Sequence, residues 1–292
     1  MILVTGATGK NGTEILKRLS GRKERVRAMV RKRAAGMSVA PSCELQFVEA
    51  DFEDAESLRR ALDGVQRAFL VTNSSERVEE LQLRFVSLAR EAGVKHIVYL
   101  SQLHASSASP LRFLRYHAAV ENAICASGMS FTHLRPNFYM QGLLMIGESI
   151  AAQGRFFAPA GDAQVSVVDV RDVAAVAVAA LTQTKHEGKT YDITGPEALT
   201  HSQMAEQLSQ ALDHPVTFVD VPEGEFRNAL RAMGMPDWQA DGLIEDYAHY
   251  RRGEASNISS VVQECTGKAP RPFADFAHDY KDAFLTPAEV HA

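Results

Sequence analysis

The chain has 292 residues, 46% hydrophobic and 23% charged, with a formal net charge of -5. That composition belongs to ordinary soluble globular proteins, with room for one large domain or two modest ones, and it gives a nucleic-acid phosphate track no support. The three cysteines, Cys43, Cys125 and Cys265, are odd in number and far apart, which suits reduced thiols better than a disulfide framework or a zinc site.

"MILVTGATGKNGTEILKRL" opens with an apolar run, breaks at glycines, then places Ile15, Leu16 and Leu19 at helical spacing, so it reads strand, turn, helix. "RVRAMVRKR" (25 to 33) alternates as a second strand. "LQFVEADFED" (45 to 54) gives a third, followed by the short helix "AESLRRALDG" closed at Gly64. "RAFLVTNSS" is a fourth strand, "RVEELQLRFVSLAREAG" a helix stopped by Gly93, and "KHIVYLSQ" a fifth strand. "FLRYHAAVENAICASG" is the next helix and "MSFTHLRPNF" the next strand. "KTYDITGPEAL" supplies another strand after the helix "RDVAAVAVAALTQ".

This alternation predicts an α/β fold, a Rossmann-type doubly wound parallel sheet with helices on both faces. From about 197 onward, "SQMAEQLSQAL", "EGEFRNALRAMG" and "DGLIEDYAHYRRG" read as helices punctuated by Pro and Gly, predicting a smaller, mainly helical C-terminal lobe. The expected division is a dinucleotide-binding domain over 1–136, to which 165–196 returns, and a substrate-side lobe of 137–164 and 197–292. The longest clean apolar run, "VAAVAVAAL" at 173 to 181, is about half what a membrane-spanning helix needs. The N-terminus enters a strand at once rather than a signal peptide, so the expectation is a cytoplasmic protein with no membrane, metal or nucleic-acid partner. A homodimer stays open.

Gly6, Gly9 and Gly12 fall between a strand and a helix. The first permits the tight turn, the second lets a pyrophosphate approach the backbone, and the third lets helix and strand pack closely; the helix N-terminus adds amide groups and a positive dipole end. Ala7, Thr8, Lys10 and Asn11 complete this expected dinucleotide loop. A carboxylate after the second strand would accept the ribose 2′-hydroxyl, whereas a base would pair with a 2′-phosphate. The sequence gives Arg31, with Lys32 and Arg33 behind it, and the nearest acid, Glu24, precedes the strand. NADP(H) is therefore expected over NAD(H), the alternative being a solvated basic turn. Asp51, beside Phe52, could take the adenine amino group or cap the following helix. Thr72 and Asn73 end the fourth strand, where either could touch ribose or cap a turn.

With these residues in place, the chain resembles the NmrA-like branch of the atypical short-chain dehydrogenase/reductase superfamily over nearly its whole length. The matching stretches are "VTGATGKNG", "VRAMVRKR", "EADFED", "HAAVENAI", "THLRPNFYMQ", "VDVRDVAAVA", "YDITGPEALTHSQMAEQLS" and "TGKAPRPFADFAHDY". The resemblance implies NADP(H) or NAD(H) binding and one of two roles: reduction of quinones, azo dyes or triphenylmethane dyes, or dinucleotide binding without turnover as a redox sensor. Fold alone does not choose between them.

The typical superfamily tyrosine and lysine map onto Phe113 and His117, and the typical serine onto Ser101. Phe113 supplies no base, which argues against alcohol oxidation and epimerisation. An already electrophilic acceptor needs positioning more than acid help, so a small planar conjugated substrate fits. His117 is then expected to bond the nicotinamide ribose and to relay a proton at an unperturbed pKa near 6.5, its plainer alternative being a helix histidine satisfied by Glu121. His117, Ser101 and Tyr139 are the candidate catalytic residues. Pro136, Asn137 and Phe138 join the cofactor side, Phe138 with core packing as its alternative. Trp238, Met233 and Met235 could close the pocket, and Gln102 and His104 sit on a loop past the fifth strand where substrate could pass.

Overall fold

The computed structural model describes residues 1–32 and 45–285; Arg33 and Cys43 lie outside them. The chain divides into two compact units, one of Met1–Arg135 with Val173–Asp192, the other of Pro136–Asp172 with the chain from Ile193 onward.

In the first unit the alternation predicts the elements closely. They are β1 (Ile2–Val4), α1 (Lys10–Leu19), β2 (Val26–Val30), β3 (Leu45–Glu49), α2 (Ala55–Leu62), β4 (Arg67–Leu70), α3 (Val78–Glu91), β5 (His96–Leu100), α4 (Arg112–Ala126) and β6 (Ser130–Pro136). The strands β3, β2, β1, β4, β5 and β6 pair in parallel, in that spatial order. Val4 lies between Ala28 and Phe69 in the register. β1 and β5 are buried at every position, which is why Ile2–Val4 and Ile97–Leu100 read as apolar runs: a parallel sheet is covered on both faces. α3 turns Val78, Gln82, Phe85, Val86 and Ala89 inward at three- and four-residue spacing, and Gly93 follows it in the left-handed region at φ +79°. Phe85 joins Leu3, Leu58, Leu62 and Tyr99 in one core, where each fully buried Leu or Phe contributes about 1.5–3 kcal/mol.

The second unit opens with β7 (Phe138–Tyr139), a 3₁₀ turn over Met140–Ile146, α5 (Gly147–Gln153), β8 (Arg155–Ala158) and β9 (Val165–Val168). α6 (Val170–Thr182) and β10 (Lys189–Ile193) follow, β10 taking the edge of the large sheet beside β6. Next come β11 (Ala198–Leu199), α7 (His201–Leu212), β12 (Thr217–Asp220), α8 (Glu223–Ala232), α9 (Asp237–Arg251), α10 (Val261–Thr266), α11 (Phe273–Asp279) and α12 (Lys281–Leu285). α7 starts on a capping box, Thr200 and Gln203 exchanging side-chain and backbone bonds. Met140, Phe156, Val167, Met204, Phe273 and Phe276 share the core of this unit.

Two features differ from the expectation. The chain returns to the first unit at Val173 rather than 165, because β9 pairs with β7 and β11 in a small sheet of the second unit. The C-terminal region also carries a strand, β12, paired with β8, whose "TFVD" is too short and too half-buried to show a period of its own. Among the described residues no helix is long and apolar enough to cross a membrane.

Candidate functional site

The turn from β1 to α1 depends on its glycines. Gly6 adopts φ +58°, and a Cβ there would stand 2.6 Å from Val71 Cγ1. A Cβ at Gly12 would collide with the backbone of Gly6 and Ala7, so the third glycine sets how closely α1 approaches the strand. At Gly9 a Cβ would meet only the Gly6 carbonyl oxygen, at 3.3 Å, and otherwise project away from protein, which leaves bare backbone for an approaching phosphate. Gly9 is also the N-cap of α1; no side chain caps this end and its first turn holds no acid, so the positive end of the helix dipole is not neutralised locally.

A cleft of about 830 Å³ opens at the C-terminal ends of β1, β2, β3 and β4, where the strand order reverses and parallel sheets bind ligands. The structure brings Gly6, Thr8, Gly9, Arg31, Asp51, Phe52, Thr72 and Asn73 to its walls. Ala7 is instead buried against Ala28 and Val30, and Lys10 and Asn11 form the first turn of α1. Desolvation lowers the Lys10 ammonium below its usual pKa. Glu24 lines a different depression with Met1, Arg25 and Gln66, at the opposite end of the strands. The cap of α2 is Asp54, which accepts from the amides of Glu56 and Ser57, so Asp51 is not the helix cap. One Asp51 oxygen accepts from the Glu53 amide at 2.9 Å, holding the carboxylate at the cleft wall.

Behind the cleft, two polar networks run through the interior of the first unit. In one, Gln82 Nε2 donates to Thr72 Oγ1 at 2.9 Å, Tyr99 donates to Gln82 Oε1 at 2.8 Å, and His117 Nδ1 meets the Tyr99 oxygen at 2.7 Å. In the other, Ser101 donates to Glu121 Oε1 at 2.5 Å, and Arg135 binds the same carboxylate through two nitrogens at 2.9 and 2.5 Å. This bidentate pair raises the Arg135 pKa and anchors α4 to β6.

These contacts correct two expectations. His117 does not carry an ordinary imidazole: burial, with Arg135 nearby, drives its pKa to about 3, so it is neutral and cannot serve as an acid at physiological pH. Nor is it satisfied by Glu121, whose oxygens go to Ser101 and Arg135, and more distantly to His133. The Ser101 hydroxyl proton points at Glu121, so toward any further ligand Ser101 can only accept. Phe113 is buried and packs edge-on to Tyr116.

Pro136, Asn137, Phe138 and Tyr139 fall in the second unit. There Asn137 Nδ2 donates to Ser166 Oγ and to the Ala255 carbonyl, both at 2.8 Å, so its two N–H groups tie that unit together. Phe138 is half-buried and packs edge-on to His201 and Tyr250 against the apolar core, the contact its plainer alternative requires. Trp238 is half-buried in the first turn of α9, and Met233 is exposed. His104 adopts φ +64°, unusual outside glycine.

Sequence reasoning missed Gln82 and Tyr99. The available signal was a glutamine on the inward stripe of α3, four residues after Val78 and three before Phe85, where a polar side chain requires a partner.

The NmrA-like family matches residues 1–277. An NAD(P)H azoreductase of Xenophilus azovorans is 35% identical across 97% of this chain and 99% of its own. A (4-alkanoyl-5-oxo-2,5-dihydrofuran-3-yl)methyl phosphate reductase of Streptomyces griseus is 38% identical, again across 97% and 99%. The structure of the NADPH-dependent quinone oxidoreductase of Escherichia coli in complex with NADPH superposes with a TM-score of 0.83 at 28% identity, covering 96% of this chain and 99% of that one. With the match running through both units and the relatives aligned almost end to end, this chain belongs to the NmrA-like family.

Proposed function

We propose that this protein is an NAD(P)H-dependent reductase, preferring NADPH, that passes hydride to a small planar conjugated acceptor such as a quinone or an azo compound. The observation that carries this reading is the cleft: a glycine turn, an uncapped helix N-terminus and Arg31 stand together, while the acid that could have read a 2′-hydroxyl, Glu24, lies elsewhere. Gly6, Gly9, Gly12 and the start of α1 would hold the pyrophosphate, Arg31 the 2′-phosphate, Asp51 and Phe52 the adenine, and Thr72 and Asn73 the ribose path. The nicotinamide, when bound, supplies the hydride.

What the chain itself lacks limits the substrate. Phe113 has no ionisable group, His117 is neutral and buried, and the buried Tyr116 has Val120 rather than a lysine four residues on, so α4 offers no tyrosine–lysine couple to protonate an alkoxide. An acceptor that is already electrophilic, and whose reduced anion water can protonate, needs only orientation. The names of the relatives, an azoreductase and a quinone oxidoreductase, agree with that class. The same missing acid supports a second reading, a dinucleotide-binding sensor without turnover. Following NADPH absorbance with a panel of quinones and azo dyes separates the two: steady loss of NADPH on some acceptors supports the reductase, and tight NADPH binding with none consumed supports the sensor.

A further inference from the structure

Thr72 lines the cleft, and His117 sits at the far end of an unbroken run of three hydrogen bonds that starts from the Thr72 hydroxyl. The two residues between them are sealed from solvent, Gln82 at 2% and Tyr99 at 0% exposure. Such a run has a direction, because each hydroxyl has one proton to give. With Gln82 donating to Thr72, Tyr99 must donate to Gln82, and the Tyr99 oxygen must then accept from His117 Nδ1–H. The second ring nitrogen, Nε2, is left as a bare acceptor, and the Thr72 proton is free to point into the cleft.

Reversing one end reverses all of it. If a group in the cleft donates to Thr72, the Thr72 proton turns inward, and the Gln82 carboxamide rotates to accept it through Oε1 and donate through Nε2 to Tyr99. Tyr99 then donates to His117 Nδ1, while the ring, which is 8% exposed, gives up its Nδ1 proton to solvent and takes one back at Nε2, which becomes a donor. No net charge appears in either state. Burial holds His117 neutral, with a pKa of about 3, and keeps the Tyr99 phenol well above its ordinary value, so ionisation does not compete with this exchange. The low dielectric around the run also strengthens each bond and makes a half-turned state, with two donors or two acceptors facing, costly.

We infer that Gln82 and Tyr99 are positioning residues that couple the Thr72 hydroxyl, in the cleft, to the tautomer of His117, so that what occupies the cleft decides whether His117 Nε2 accepts or donates. This deepens the reading above and rests on a dinucleotide entering that cleft. Nitrogen NMR of protein labelled at histidine, with the His117→Gln variant identifying the signals, reads the tautomer directly. NADPH binding is followed separately by calorimetry. The expected result is that free wild-type protein is mainly in the Nδ1–H form, that NADPH changes the His117 signals, and that this response is lost in Tyr99→Phe and in Thr72→Val when each is compared at an NADPH concentration that calorimetry shows to be saturating for it. Thr72→Val keeps side-chain volume at a half-buried position, so it tests the coupling even where Tyr99→Phe folds poorly, and Thr72→Ser, which retains the hydroxyl, restores the response. NADPH binding with His117 signals that do not move in the wild type, or that move equally in Tyr99→Phe and Thr72→Val, overturns the inference and leaves the reductase reading standing. Failure of the wild type to bind NADPH at all overturns both.

Discussion

Burial sets the chemistry of individual side chains here more than formal charge does. Below its free pKa a solvated imidazole gains a proton, but a charged His117 would lack that solvation, and its pKa falls to about 3. The pH profile of kcat/KM should therefore have no inflection near 6.5 from this residue; a break there that disappears in His117→Gln would contradict the assignment. His201 extends the same argument to stability. Its ring is 1% exposed, packs among Phe138, Phe218 and Tyr247, and has no hydrogen-bond partner on either nitrogen among the described residues. Burial lowers its pKa to about 4. Above pH ~6.5 neither the folded nor the unfolded form is protonated, and the group leaves stability unchanged. As pH falls from there toward about 4 only the unfolded chain takes the proton, so stability drops by up to about 1.4 kcal/mol per pH unit for this residue. His201→Phe should flatten that acid limb in urea titrations between those limits, and an unchanged limb would refute the claim. At the cleft, Arg31→Ala should lower the preference for NADPH over NADH about tenfold, the loss of one charge-assisted contact. Equal ratios of the two dissociation constants in wild type and variant would remove Arg31 from that role.

At the scale of elements, the buried carboxylate of Glu121 fastens α4 to the end of β6 through Arg135 and to the end of β5 through Ser101. Glu121→Ala should cost about 3 kcal/mol, since it strands the Arg135 cation and a buried hydroxyl. The urea midpoint should fall with an unchanged slope; a loss under about 1 kcal/mol would mean the pair is solvated. The parallel sheet of the first unit was legible because local patterns carry it: buried strands read as apolar runs, helices show their stripe, and Gly64 and Gly93 stop them with positive φ. The glycine turn was legible for the same reason, its conformational demand being written in Gly6 itself. The interior networks were not. Tyr99 meets Gln82 across 17 residues and His117 across 18, and Arg135 meets Glu121 across 14, so only the packing of α3 and α4 on the sheet creates the partnerships. Asp51 shows the limit of spacing arguments, since Asp54, three residues on, made the better cap.

For the molecule as a whole, the first unit contains the elements a dinucleotide site requires, and the second has its own core and small sheets. The boundary was misplaced by sequence at β9 because a four-residue buried strand gives no indication of which sheet it joins; pairing with β7 and β11 decided it. Membership of the NmrA-like family fixes the fold class, while the activity rests on the cleft and on the chemistry that Phe113 and His117 withhold. The proposed activity is hydride transfer from NADPH to a conjugated acceptor. It is tested most directly by supplying NADPH deuterated at the transferable position, with a quinone acceptor, and measuring both the rate and the reduced product. One reduced quinone should form per NADPH consumed, with deuteride transferred more slowly than hydride in a single turnover; tight NADPH binding with no reduced product from any quinone or azo acceptor would rule hydride transfer out.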